Sequence, residues 1–199
     1  MPDIQIPQNK SPLEGVYHPG VYGAVQIEPG VIIQERKLEK IIQIAAWPET
    51  VSKISSGLKK NLKLDGTPSP GKATCSDKVV VIQTAPLKFL AIGQKDNLCA
   101  LTDKFSSDQA VCLDLSHSFV ALQISGTSVR NFLNRGLTLD LEDTVFPVSA
   151  TATTALESVS VILHHAEANI YDLYIPRAFA RFTWEWLQET GLQFGLKIR

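Results

Sequence analysis

Residues 154–177, TALESVSVILHHAEANIYDLYIPR, decide how this chain is classified. Two runs rich in Val, Ile, Leu and Tyr, 154–164 and 170–175, flank a short polar link that ends in Asn169. Such runs read as strands, and a link this short joins them as an antiparallel hairpin, because a parallel pair needs a much longer crossover. Pro176 closes the second run, and a helix is expected over 177–190. The same reading extends upstream. Strands are expected over 109–115 and 118–125, followed by a helix over 126–135 and a connection over 137–150. A second hairpin is expected from 78–84 and 88–92, with Pro86 in its turn, and a helix over 97–105. Strands over 31–35 and 40–46 precede a helix from about 48 to 62, whose Val51, Ile54, Leu58 and Leu62 fall three or four apart on one face. Residues 65–72 form a Pro/Gly loop. Strands and helices mix without a βαβ repeat, and hairpins recur. This predicts an α+β fold with antiparallel sheets and packed helices.

The first thirty residues differ from the rest. Pro2, Pro7, Pro12, Pro19 and Pro29 alternate with Gly15, Gly20, Gly23 and Gly30, which argues for an extended arm. Yet Ile4, Ile6, Val16, Tyr17, Val21, Tyr22, Val25 and Ile27 are more apolar than a solvated tail needs. An arm over 1–30 that lies along a surface, its own or a partner's, is expected to lead into a single domain over 31–199. That domain is one core or two small lobes.

The whole chain has 199 residues, a formal net charge of -1 and 44% hydrophobic residues, so it lacks the basic footprint of a nucleic-acid or membrane-surface binder. No apolar run approaches the length of a membrane span. The N-terminus shows no signal-peptide pattern, and Cys75, Cys99 and Cys112 are an odd number without a CxxC pair. Both features predict reduced thiols in a cytoplasmic protein.

Candidate chemistry is sparse. Asp114, Ser116 and His117 supply the residue types of a hydrolase, but a strand turns His117 away from the other two, and no nucleophile elbow is present. A polar turn at a strand end is the simpler reading. His164 and His165 point to opposite faces of one strand, which does not suit a metal site, and His18 and His117 are isolated. Gly126 and Thr127 open a helix after a strand, with Arg130 one turn in. They form a weak anion-site candidate, with Ser125 as the helix cap. No nucleotide-binding glycine motif is present.

The last helix is the most informative. On a helical wheel started at Phe179, Phe182, Trp186 and Thr190 gather on the core side, while Arg181, Glu185 and Gln188 lie opposite. Trp184 falls beside the polar group. It is covered by the C-terminal segment Leu192, Phe194 and Leu196, or it meets another chain. Trp and Arg are enriched at interface hot spots, so Trp184 and Arg181 are the candidate partner contacts.

The order of these words is familiar. It runs from Asp114-Leu115-Ser116-His117 through Val120 to Gly126, then Val129-Arg130-Asn131-Phe132-Leu133 and Gly136. Leu139-Asp140-Leu141 and Val145-Phe146-Pro147 follow. Then come Tyr171-Asp172-Leu173, Ile175 to Ala180, Trp184-Glu185-Trp186-Leu187 and Phe194-Gly195. Over roughly residues 30–199 the chain resembles the sarcosine oxidase gamma-subunit family, within the folate-binding superfamily of the glycine-cleavage aminomethyltransferase, or T-protein.

The resemblance implies the fold of the N-terminal part of the T-protein. It implies a non-catalytic gamma subunit in a heterotetramer that converts sarcosine to glycine with oxygen and tetrahydrofolate. The direct partner would be the alpha subunit, with beta and delta subunits alongside. FAD, FMN, NAD, zinc and tetrahydrofolate would belong to those subunits, and none to this chain. A stand-alone tetrahydrofolate-binding protein is the alternative, and a small transferase a third reading that lacks a nameable acid or base.

Overall fold

Alternation along the strands sorts the side chains into three apolar layers. A computed structural model describes residues 10–23 and 28–199. Among them, one seven-stranded sheet runs in the order β1 (Gly20–Tyr22), β12 (Leu196–Ile198), β2 (Val31–Arg36), β8 (Phe119–Ser125), β11 (Ile170–Pro176), β10 (Val159–Glu167) and β9 (Thr151–Leu156). Its pairs are antiparallel except β12 with β2. A five-stranded antiparallel sheet runs β4 (Thr74–Ser76), β5 (Val79–Ala85), β6 (Lys88–Gly93), β3 (Lys40–Ala46) and β7 (Ala110–Asp114). The helices are α1 (Val51–Leu62), α2 (Lys95–Leu98), α3 (Val129–Leu133) and α4 (Ala180–Gly191).

The layers follow from period two. On β8, Val120, Leu122 and Ile124 pack with α3 and α4, whereas Ala121 points toward the smaller sheet. On β6, Phe89 and Ala91 pack with α1, whereas Leu90 and Ile92 point toward the larger sheet. The order is helices, large sheet, small sheet, helices. The expected α+β class with antiparallel sheets is found.

Residues 10–23 lie on the large sheet. Leu13 is buried in its helix-side core, and β1 extends the sheet along β12. Tyr17 reaches the far end of the chain, its hydroxyl donating to the Arg199 carbonyl at 2.6 Å and accepting from the Glu35 amide at 2.9 Å. Ile4, Ile6, Val25 and Ile27, which the arm reading invoked, lie outside the described residues.

Several boundaries differ from expectation. The hairpin over 154–175 is a three-stranded meander, β9–β10–β11. Its first turn is made by Glu157 at φ +53°, a left-handed residue without a glycine to announce it. The helix expected over 97–105 splits into α2 and a short 3-10 turn, Thr102–Lys104. The helix expected from 126 begins only at Val129, because Gly126 sits at φ +125° with its Cα against the Gly30 carbonyl; a Cβ there would meet that oxygen at 2.3 Å.

The face of α4 is the main correction. Ala180, Thr183, Trp184, Leu187 and Gly191 are buried, whereas Phe179 and Phe182 are about half exposed. The buried positions recur three and four apart along the helix, whereas the reading from sequence placed the core face by Phe179, which lies in the 3-10 turn Arg177–Phe179 before the helix, and by Phe182, which is half exposed. The arm settles the rest: Tyr17 packs on Trp184 at 4.9 Å between ring centroids, and the Trp184 indole N–H donates to the Val16 carbonyl at 3.1 Å.

Candidate functional site between the two sheets

Strand register lays a polar row across the inner face of the large sheet. Residues directly opposite in adjacent strands share a face. Gln34 on β2 faces Gln123 on β8, Gln123 faces Asp172 on β11, Asp172 faces His164 on β10, and His164 faces Thr151 on β9. The next row is Arg36, Ala121, Tyr174, Ile162 and Thr153. Two side chains of the second row therefore stand on either side of the small Ala121.

Asp172 is the hub. It is buried, and one Arg36 amino group, Nη1, donates to both its oxygens at 3.0 and 3.2 Å. Gln123 Nε2 donates to Asp172 Oδ1 at 3.3 Å, and His164 Nδ1 lies 3.7 Å from Oδ2. Burial acts to raise the Asp172 carboxyl, but His164 and Arg36 outweigh it and hold the group below its ordinary value. An unpaired carboxylate at this depth would be costly, so the partners are what allow the charge. Tyr174, 3% exposed, is pushed the other way: burial, then the Asp172 charge, raise its hydroxyl, which stays protonated as a donor.

Arg36 and Tyr174 look into a cleft of about 310 Å³ between the sheets. Leu38, Val80, Ile92 and Ala121 line it with apolar surface, and Lys37 and Lys78 stand in its wall. The cleft offers hydrogen-bond donors, Arg36 and Tyr174, against apolar walls. Asp172 is committed to its partners. Burial pushes up the Cys75 and Cys112 thiols, which weakens them as nucleophiles. Among the described residues, no three His, Cys, Asp or Glu side chains gather in a metal-binding arrangement.

The candidates from sequence fall elsewhere. Gly126, Thr127 and Arg130, the weak anion-site candidate, lie at the start of α3, where two of the groups an anion would use are already engaged. The Ser128 amide at the start of α3 is taken by the Gly30 carbonyl at 2.9 Å, and Arg130 is paired with Asp143 and lies 3.9 Å from Glu142. Arg130 instead ties α3 to the 137–150 connection, which is also anchored by His165 Nδ1 at 2.8 Å from the Phe146 carbonyl. Trp184 is fully buried beneath the arm and presents no surface to a partner, whereas Arg181 is exposed. The expected polar turn is present: Asp114 accepts from the Ser116 amide and hydroxyl, and Ser116 Oγ accepts from the Ile41 amide. His164 and His165 lie on opposite faces of β10, one against Asp172 and one in the helix-side core.

The Arg36–Asp172 pair was not among the candidates from sequence. Its visible signal is a lone carboxylate at the centre of the apolar run Ile170 to Ile175. A buried strand tolerates such a residue only with a partner. The partner, more than a hundred residues away on β2, is set by the topology.

No curated protein sequence matches this chain. A chain of the heterotetrameric sarcosine oxidase from Corynebacterium sp. U-96, in complex with pyrrole 2-carboxylate, shares the fold at a TM-score of 0.79 and 20% identity. The match covers 92% of this chain and 94% of that one. Glycine cleavage system aminomethyltransferase T from Bartonella henselae shares it at a TM-score of 0.59 and 11% identity, over 86% of this chain but 48% of that one. The two-sheet unit thus corresponds to about half of an aminomethyltransferase. The model of the sarcosine oxidase, gamma subunit family matches residues 91–193, just over half of the chain, and the chain belongs to that family.

Proposed function

We propose that this chain is the non-catalytic gamma subunit of a heterotetrameric sarcosine oxidase, working in the cytoplasm and packed most directly on the alpha subunit. The observation that carries the reading is the family match over residues 91–193. Residues in that span build β8, β11 and α4, the framework of the large sheet. The catalytic groups and the FAD, FMN, NAD, zinc and tetrahydrofolate of such a complex are assigned to its other subunits.

The exposed side of α4 is the proposed contact. Phe179 and Phe182 are 51% and 52% exposed, and Arg181 stands between them in sequence. Half-exposed aromatics beside an arginine have the composition of an interface hot spot. The contact expected from sequence therefore stays at this helix and the 3-10 turn that leads into it, but its aromatic anchors are Phe179 and Phe182 instead of Trp184.

Co-expression with the other subunits of a heterotetrameric sarcosine oxidase, followed by measurement of the mass and flavin absorbance of what co-elutes, tests the reading. A heavy, flavin-bearing particle that oxidises sarcosine is expected. A colourless particle with the mass of one or two copies of this chain would overturn it and favour the stand-alone folate-binding alternative.

A further inference from the structure

We propose that the cleft beside Arg36 binds a small organic monocarboxylate with an apolar body. This stands apart from the subunit role and does not rest on it. Asp172 engages Arg36 through Nη1, which leaves Nε and Nη2 without a partner among the described residues. The Arg36 side chain is 51% exposed and lines the cleft, so the guanidinium is accessible to a ligand there. Tyr174 is nearly buried, lines the same cleft, and its hydroxyl has no hydrogen-bond partner among the described residues.

The spacing of the two donors is set by the sheet. Arg36 and Tyr174 pair with Ala121 from opposite sides, so two strand spacings, about 10 Å, separate their backbones. Ala121 contributes only a methyl group, which leaves a slot between two long side chains. A planar guanidinium edge matches a carboxylate in two parallel hydrogen bonds. The apolar lining of Val80 and Ile92 then suits the rest of the ligand.

The charge balance disfavours a multiply charged anion. Lys37 and Lys78 in the cleft wall are matched in number by Glu39 and Asp77, and Arg36 by Asp172, so selection rests on the directional donors of Arg36 and Tyr174. A phosphate dianion would need further cations. Asp172, through Gln123 and His164, keeps the guanidinium oriented; these are positioning residues.

The test uses the full chain titrated with benzoate and with benzamide, its uncharged near-isostere, followed by amide chemical shifts. Benzoate is expected to bind at least tenfold more tightly than benzamide and to shift residues of β2, β8 and β11. Tyr174→Phe should weaken benzoate several-fold, Arg36→Gln at least tenfold, and Ala121→Leu should block both compounds by filling the slot. Tyr174→Phe removes an unpartnered hydroxyl and keeps the ring, so the test stands even if Arg36→Gln does not fold. The proposal is overturned if wild-type chain binds no benzoate or does not distinguish it from benzamide. It is also overturned if folded Tyr174→Phe and Ala121→Leu bind benzoate unchanged.

Discussion

The two faces of the large sheet are made by the same strands and do opposite things. Its helix-side face carries Val120, Leu122, Leu173, Ile175 and Leu163 against Trp184 and Leu187, an apolar layer sealed by the arm and α4. Its inner face carries Gln123, Asp172 and His164 in register, beside a buried apolar layer shared with the smaller sheet. One face supplies cohesion and the other carries a paired polar row. Period-two alternation lets a strand do both, because a polar residue on one face leaves the other untouched.

The largest test of this division is Trp184→Ala. Removing a fully buried indole that also anchors the arm through Val16 should cost roughly 3–5 kcal/mol, read from chemical denaturation. The segment from Lys10 to Gly23 should also become sensitive to proteolysis. A loss below roughly 1 kcal/mol would show that the arm is not part of the cohesive layer.

On the inner face, Asp172→Asn should cost roughly 1.5–3 kcal/mol, the range for hydrogen bonds to a charged group. Asp172 is held below its ordinary value in the folded chain, so its contribution is present above the unfolded value near pH 4 (about 3.9) and is lost as pH falls through the folded value. Unfolding midpoints of wild type and Asp172→Asn should converge as the pH drops from 6 toward 2. Parallel curves would mean that the carboxylate charge adds nothing. The smallest expected effect on stability is Phe182→Ala, within about 0.5 kcal/mol, because the ring is half exposed. The same variant should weaken subunit assembly measurably by size-exclusion chromatography. A stability loss with intact assembly would assign Phe182 to the fold instead.

Much of the architecture was legible as local pattern. The alternation in β3, β5, β6, β8 and β11 predicts strands close to their observed bounds, because each run is apolar and flanked by turn residues. Three short strands were not legible. β1, β4 and β12 have three residues each; β1 and β12 owe their state to partners at the other end of the chain, and β4 is a short edge strand held by β5 across the turn at Asp77 and Lys78. The phase of α4 failed for a related reason. A wheel weighs only the residues of the helix, whereas Trp184 is covered by Val16 and Tyr17 from the other end of the chain. The site was least legible of all. Asp172 announces a need for a partner, but only the order β2–β8–β11–β10 brings Arg36, Gln123 and His164 to it.

Strand β12 carries one more consequence. It lies between β1 and β2, antiparallel to the first and parallel to the second, although those two strands are near neighbours in sequence. Like the middle slat of a shutter, it must be in place before the outer slat has anything to close on. The ring-closing contacts span nearly the whole chain, which makes this edge slow to assemble and the first to open. In hydrogen exchange, the amides of Tyr22 and Leu196 should lose protection together, well before those of Leu122 and Leu173. The edge of the sheet would then behave as a latch whose two halves come from opposite ends of the polypeptide.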